Sequence, residues 1–249
     1  MAAKTYSENV IVLRKTRLRE SDLVLTLLAE DGRQIRAVAK GALKPTGSFA
    51  SRLELYSHAN VLLVEGRSLD IVKEARLVNA HAPLRFDYER SVCAAPMAEL
   101  LAHATQDELP VPRLFPMTET AFACLEGIQP EKARLISAAF LLKAASILGF
   151  RPSLGHCAEC GSPRPAGAPW MISIPAGGVL CPECANLHDA QQISPVIVDW
   201  ANALIHATFA EAANFEANAA LQVELVRFAG AWIQAHIASL KSLPFMHAL

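Results

Sequence analysis

The sequence predicts a multidomain α+β chain: a small closed barrel of five strands, then an all-α domain carrying an inserted four-cysteine module. Three observations carry that reading. The first eighty residues are short aliphatic and β-branched runs punctuated by turn signals. From about Pro83 the apolar positions recur at three and four, the helical period. Cys157-x2-Cys160 is followed, after twenty residues, by Cys181-x2-Cys184.

The strands are expected at Val10 to Leu13, Leu23 to Leu28, Arg33 to Ala39, Asn60 to Val64 and Asp70 to Val78. Turn signals stand between them at Glu20-Ser21-Asp22, Asp31-Gly32, Pro45-Thr46-Gly47 and Glu65-Gly66. Five short strands within residues 1–80 suit a five-stranded barrel of the OB type. Residues 81–249 are expected to form the helical domain, with the cysteine module inserted at about 153–190. Its helical segments are 117–127, 131–149, 196–212 and 216–240, with another around Leu100-Leu101. Pro130 before Glu131 reads as a helix start and Gly149 as a stop, while Pro96 predicts a kink or a break.

Two Cys-x-x-Cys knuckles at this separation fit tetrahedral Zn²⁺, each knuckle presenting two thiolates from a tight turn. The expected ligands are Cys157, Cys160, Cys181 and Cys184. A four-thiolate site keeps no open position for water or substrate, so one structural zinc per chain is expected. His156 reads as a bystander, and Cys93 and Cys124 as small buried apolar residues.

The net charge of −1 conceals an asymmetry. Residues 1–80 carry thirteen Lys and Arg against nine Asp and Glu, a net of +4, and residues 81–249 carry ten against fifteen, a net of −5. From Gly32 to Leu53 there is no acid at all. Strand alternation gathers Lys15, Arg17 and Arg19 on one face of a prolonged first strand. It also sets Arg36 and Lys40 opposite Ile35, Ala37 and Ala39. A phosphate-tracking surface is therefore expected on Arg14, Lys15, Arg17, Arg19, Arg33, Arg36, Lys40 and Lys44. The competing account of such a run is a solvated face.

Catalytic signatures are lacking. There is no phosphate-binding loop, no His-Glu-x-x-His and no Gly-x-Ser-x-Gly elbow. Glu20 with Asp22, and Glu30 with Asp31, occupy predicted turns, where acids are ordinary. No apolar stretch approaches bilayer length, and the expectation is a soluble, cytoplasmic protein that is not an enzyme.

Beyond these physical readings, particular stretches are similar to the RecO family of bacterial recombination mediators. They are Val12-Leu13-Arg14, Arg19-Glu20-Ser21-Asp22-Leu23, Asp31-Gly32 and Ala37-Val38-Ala39-Lys40-Gly41-Ala42. Gly66-Arg67-Ser68-Leu69-Asp70, Gly149-Phe150 and, more weakly, Leu240-Lys241-Ser242 extend the likeness along the chain. The resemblance implies binding of single- and double-stranded DNA and annealing of complementary strands. It implies engagement of the acidic C-terminal tail of single-stranded-DNA-binding protein (SSB), and work with RecR, and in some settings RecF, to load RecA. For the SSB tail, which is acidic and ends in an aromatic, Lys143 and Arg151 are the residues named from a helical body that also carries Lys132 and Arg134. The alternatives are a zinc-ribbon nucleic-acid-binding regulatory factor and a metal-dependent nuclease.

Overall fold

The computed structural model describes residues 4–44, 49 and 51–247. The turn expected at Pro45-Thr46-Gly47 lies outside the described residues. The chain divides into two compact units, Met1–Glu126 and Gly127–Leu249.

In the first unit, β1 (Thr5–Arg17), β2 (Leu23–Ala29), β3 (Gln34–Ala39), β4 (His58–Val64) and β5 (Asp70–Asn79) close into a barrel. Their order is β1-β2-β3-β5-β4. All pairings are antiparallel except β3 with β5, which rests on Ala37↔Asp70 and Val38↔Ile71. Strand alternation is literal in β4, where Ala59, Val61 and Leu63 are buried and their neighbours are not. A barrel this narrow has little room, and Ala29, Ala37, Ala39, Ala59 and Ala75 occupy its core beside Val and Leu.

β1 is longer than the apolar run Val10 to Leu13 suggests, because a bulge at Leu13 lets the strand switch partners and continue. Ile11 and Leu28, on the wall away from the barrel core, are also fully buried. Helix α2 contacts both β1 and β2 on this side. Gly32 closes the β2–β3 turn at φ +84°, and a Cβ there would lie 2.0 Å from the Val111 carbonyl oxygen. Only glycine fits.

Three helices complete this unit: α1 (Pro83–Phe86), α2 (Tyr88–Ala104) and α3 (Leu114–Gly127, its last residue opening the second unit). Asp87 caps α2 by accepting the Arg90 backbone N–H at 2.9 Å. Pro96 does not break α2, which runs through it. The missing N–H forfeits one backbone bond, while Val92, Cys93, Ala94 and Met97 around it are buried. Gln34 ties the barrel to the end of α2, its side-chain amide donating to the carbonyls of Ala102 and Thr105 at 3.0 and 3.1 Å.

The second unit is built around α4 (Ala133–Ile147), apolar and buried on nearly every side. A 3-10 turn at Pro130–Lys132 leads into it, and Gly149, at φ +92°, follows its end. The four-cysteine module contributes β6 (Met171–Ser173), β7 (Gly178–Leu180), α5 (Pro182–Ala185) and β8 (Gln191–Gln192). After it come α6 (Pro195–His206), α7 (Phe209–Ala213), α8 (Ala219–His236) and α9 (Leu243–His247). The helix expected over 196–212 is two helices. The first ends at Ala207, whose backbone is extended, and Thr208 starts the second through a capping box, its hydroxyl accepting the Glu211 N–H while Glu211 accepts the Thr208 N–H.

Candidate nucleic-acid surface and metal centre

The strand register sorts the cations of the barrel into different environments. Arg14 pairs with Thr26, and Thr26 with Arg36, so the two arginines flank a threonine on one exposed row. Lys40 follows β3 and is also exposed. Among the described residues, Arg14, Arg36 and Lys40 have no carboxylate within 4.0 Å. Helix α2 covers the other end of this wall, over Ile11, Leu28 and Gln34, and leaves the basic row uncovered.

The bulge sends the next residues to the opposite face. Lys15 stands across from Leu25 and Arg17 across from Leu23, both of which belong to the barrel core. These two cations therefore share a face, as expected, but it is the end of the barrel interior. Lys15 is paired with Glu54 at 2.8 Å, and the two border a cleft with Leu43, Lys44 and Phe49. Arg17 donates to the carbonyls of Arg19 and Glu20 at 3.4 and 3.3 Å, which folds it back on its own turn. Arg19 lies in that turn, exposed, and Lys44 is exposed after β3.

Arg33 is a different case. Its guanidinium meets Glu8 at 3.0 Å, Asp31 at 3.0 Å and Asp107 at 3.6 Å, and lies over the Tyr6 ring. Three carboxylates around one cation leave no net positive charge to offer a phosphate. Tyr6 in turn donates its hydroxyl to Asp70, and burial with that bond raises its pKa well above the ordinary phenol range. Asp22 accepts the Gly41 N–H at 2.8 Å, an ordinary turn function.

Sequence periodicity passes over another set of cations: Arg52, Lys73 and Arg76 border one cleft on the β4–β5 side. Lys73 escapes the pattern because it is the extra residue of a bulge, Leu62 pairing with Glu74 and Leu63 with Val72. The signal that finds Arg76 is the alternation of β5 about Ala75, which faces the core.

In the second unit, the sulfurs of Cys157, Cys160, Cys181 and Cys184 all lie within 4.8 Å of one another, with Cys160 and Cys181 3.9 Å apart. A tetrahedral ion with bonds of about 2.3 Å requires sulfurs about 3.8 Å apart. The donor set fits one metal ion. The first knuckle turns on Gly161, at φ +74°, with the Gly161 N–H donating to the Cys157 carbonyl at 3.0 Å. The second knuckle is the start of α5, where Ala185 N–H donates to Cys181 O at 2.9 Å. Burial raises the Cys157 thiol, but backbone N–H groups of Cys160, Cys181 and Glu159 outweigh it and bring the pKa to about 6. Ser162 holds Cys160 low, while its neighbouring sulfurs push Cys184 up. His156 is not part of the cluster. Arg164, whose guanidinium is 2.5 Å from Asp199 on α6, fastens the module to the helices.

Lys143 and Arg151 meet at the C-terminal end of α6. Lys143 donates to the Ile205 carbonyl at 2.8 Å and lies over the Phe209 ring, and Arg151 is 2.8 Å from His206 Nε2. Burial and the Arg151 charge lower the Lys143 pKa, while Glu211 opposes them. A cation on terminal carbonyls complements the helix dipole, which gives Lys143 a structural role of its own. Among the described residues no helix is long and apolar enough to cross a membrane.

Comparison with known proteins covers almost the whole chain. Residues 1–81 match the family model described as Recombination protein O N terminal, and residues 85–244 match Recombination protein O C terminal. A DNA repair protein RecO of Frankia casuarinae is 35% identical over 97% of this chain and 98% of its own length. A namesake from Desulfitobacterium hafniense is 36% identical over 78% of this chain and 68% of its own length. Another, from Bifidobacterium longum, is 34% identical over 80% and 82% respectively.

Proposed function

Because the chain belongs to the RecO family, with a role in DNA repair and recombination, we propose that it is a non-enzymatic mediator working through a DNA-binding barrel face. On this reading it binds single- and double-stranded DNA, anneals complementary strands and recruits partners. The observation that carries it is the exposed Arg14–Thr26–Arg36 row with Lys40, cationic and without carboxylate neighbours among the described residues. Arg19, in its turn, and Lys44, on the neighbouring cleft, are the other exposed cations proposed to meet DNA, while Lys15, Arg17 and above all Arg33 serve the barrel itself. Binding is mainly electrostatic: of the three aromatics in the first eighty residues, Tyr56 is buried and the Tyr6 hydroxyl is held by Asp70, which leaves Phe49, partly buried against the barrel core, as the one available to a base. Annealing needs no chemistry, since a basic surface lowers the repulsion between two strands and raises their local concentration.

The four thiolates hold one structural Zn²⁺, which leaves no open coordination position when bound. The partners are the SSB tail, for which Arg151 with Lys143 is the proposed contact, and RecR, with RecF in some settings, in the loading of RecA. The protein is cytoplasmic and acts at the nucleoid. The test is fluorescence anisotropy of a labelled single strand from low to moderate salt. Steeply salt-dependent binding without strong sequence preference is the expected result, and no binding at low salt overturns the reading.

A further inference from the structure

Arg52, Lys73 and Arg76 border a cleft of about 640 Å³, with Phe49 and Leu62 as its apolar part and the Asn60 amide beside them. Arg52 is positioned by one bond, its Nη1 donating to the Ala75 carbonyl at 3.2 Å, which leaves its other donors for a ligand. Glu74 is the one acid in the lining, so the cleft carries a net of +2. Among the described residues, none of the three cations has a carboxylate within 4.0 Å, in contrast to Arg33, which has three. The barrel thus neutralises some of its cations and keeps these unneutralised.

The register separates this cleft from the Arg14–Arg36 row. Arg76 is level with Asn60 and Asn9 of β1, whereas Arg36 is level with Thr26 and Arg14 of β1. Asn9 and Arg14 are on the order of 15 Å apart at ~3.3 Å per residue. The two groups are also reached from opposite edges of β1, one through β2 and the other through β4. A single short run of phosphates on one face does not serve both.

We propose that this cleft is a second site for a single-stranded polynucleotide, with Arg52, Lys73 and Arg76 on its phosphates and Phe49 with Leu62 against a base. It rests on the reading of the barrel as a DNA-binding domain, and it lets one barrel carry two strands at once. Annealing then proceeds between strands held on the same molecule. Neutralising about three phosphates gives the second strand a log–log salt slope of about −2.

The test uses two oligo(dT) strands, one carrying a donor dye and one an acceptor, which cannot pair with each other. Wild-type protein is expected to give energy transfer, because both strands are bound together. Lys73→Glu with Arg76→Glu is expected to abolish the transfer while the first strand keeps its affinity within about threefold by anisotropy. Lys73→Gln with Arg76→Gln, a milder pair, is expected to weaken the second strand in the same direction and guards against a folding defect. Transfer that survives both pairs overturns the proposal, and so does pairing of strands through two protein copies, which these substitutions would not touch. Wild-type binding of one strand without transfer overturns this proposal and leaves the DNA-binding reading standing; no strand binding at all overturns both. A poly-glutamate peptide of matched charge that displaces the second strand as well as unlabelled oligo(dT) does would identify an acidic-peptide site, and would also overturn it.

Discussion

His58 Nδ1 lies 2.9 Å from Glu119 Oε2, joining the start of β4 to the middle of α3. The other oxygen of Glu119 stands 3.3 Å from His81 Nε2, and His81 Nδ1 is 3.2 Å from Glu126. Two imidazoles and two carboxylates thus join α3 to β4 and to the segment that follows β5. Burial alone raises the Glu119 pKa, but hydrogen bonds and charge from the two histidines prevail and lower it from 4.5 to about 2.

A carboxyl whose folded pKa is depressed stabilises the fold above its unfolded pKa and loses that contribution as pH falls toward the folded value. Glu119→Gln is therefore expected to destabilise the protein by about 1.5–3 kcal/mol at neutral pH, the range for a hydrogen bond to a charged group. The gap between variant and wild type should close as pH drops from 4.5 toward 2. Denaturant unfolding across that window checks it, and a pH-independent gap would show that the charge of Glu119 is not what matters.

On the exposed row, Arg36→Glu with Lys40→Glu is expected to lower single-strand affinity at least tenfold and to suppress annealing with it. The melting temperature should move by no more than a few degrees, since neither side chain has an ion-pair partner among the described residues. If about five phosphates are neutralised in the wild type, its salt slope on single strands should be near −3.5. A slope near zero contradicts the electrostatic account.

Arg33→Ala should behave in the opposite way. Removing the guanidinium strands Glu8, Asp31 and Asp107 together, and partly exposed pairs of this kind contribute ~0.2–1 kcal/mol each. The expected outcome is a loss of about 1–2 kcal/mol in stability with DNA affinity unchanged within about threefold. A large affinity loss at unchanged stability would return Arg33 to the binding surface.

For the metal centre, elemental analysis of freshly purified protein should find one zinc per chain. Cys157→Ser or chelation should release it and open the segment between the knuckles to proteolysis, while the barrel still binds DNA. Metal-free wild type with an unchanged proteolysis pattern would refute a structural zinc.

Arg151→Glu is expected to weaken binding of a fluorescent acidic peptide ending in an aromatic at least fivefold. Lys143→Gln should cost both peptide affinity and stability, because its ammonium also caps the Ile205 carbonyl at the end of α6. Unchanged peptide affinity in both variants would place the partner contact elsewhere.

The elements that local chemistry determines were readable from the chain. Aliphatic and β-branched runs between turn signals located all five strands, and cysteine spacing located the four sulfurs that converge. What escaped was set by bulges and by partners distant in sequence. A bulge at Leu13 put Lys15 and Arg17 on the core-facing side shared with Val12 and turned Arg14 outward, and no periodic pattern announces an inserted residue. Arg33 looked like any other member of an acid-free run until Glu8 and Asp107 arrived from elsewhere in the chain. The break at Thr208 was legible, since Thr-x-x-Glu is a start signal, but the Ala-rich context around it reads as continuous helix.

The contact that closes the barrel has a kinetic meaning. β3 and β5 pair in register through two residue pairs, Ala37↔Asp70 and Val38↔Ile71, and their parallel alignment requires the chain between them to cross over, by way of β4, where a hairpin cannot serve. The β1–β2 and β2–β3 hairpins can form from neighbouring chain, whereas this seam waits for a loop of more than thirty residues to be drawn shut. Ring closure should therefore come late in folding and fail early in unfolding. Amides along the seam are expected to exchange with solvent sooner than those between β1 and β2, and until it shuts the nascent domain presents two open strand edges to its neighbours.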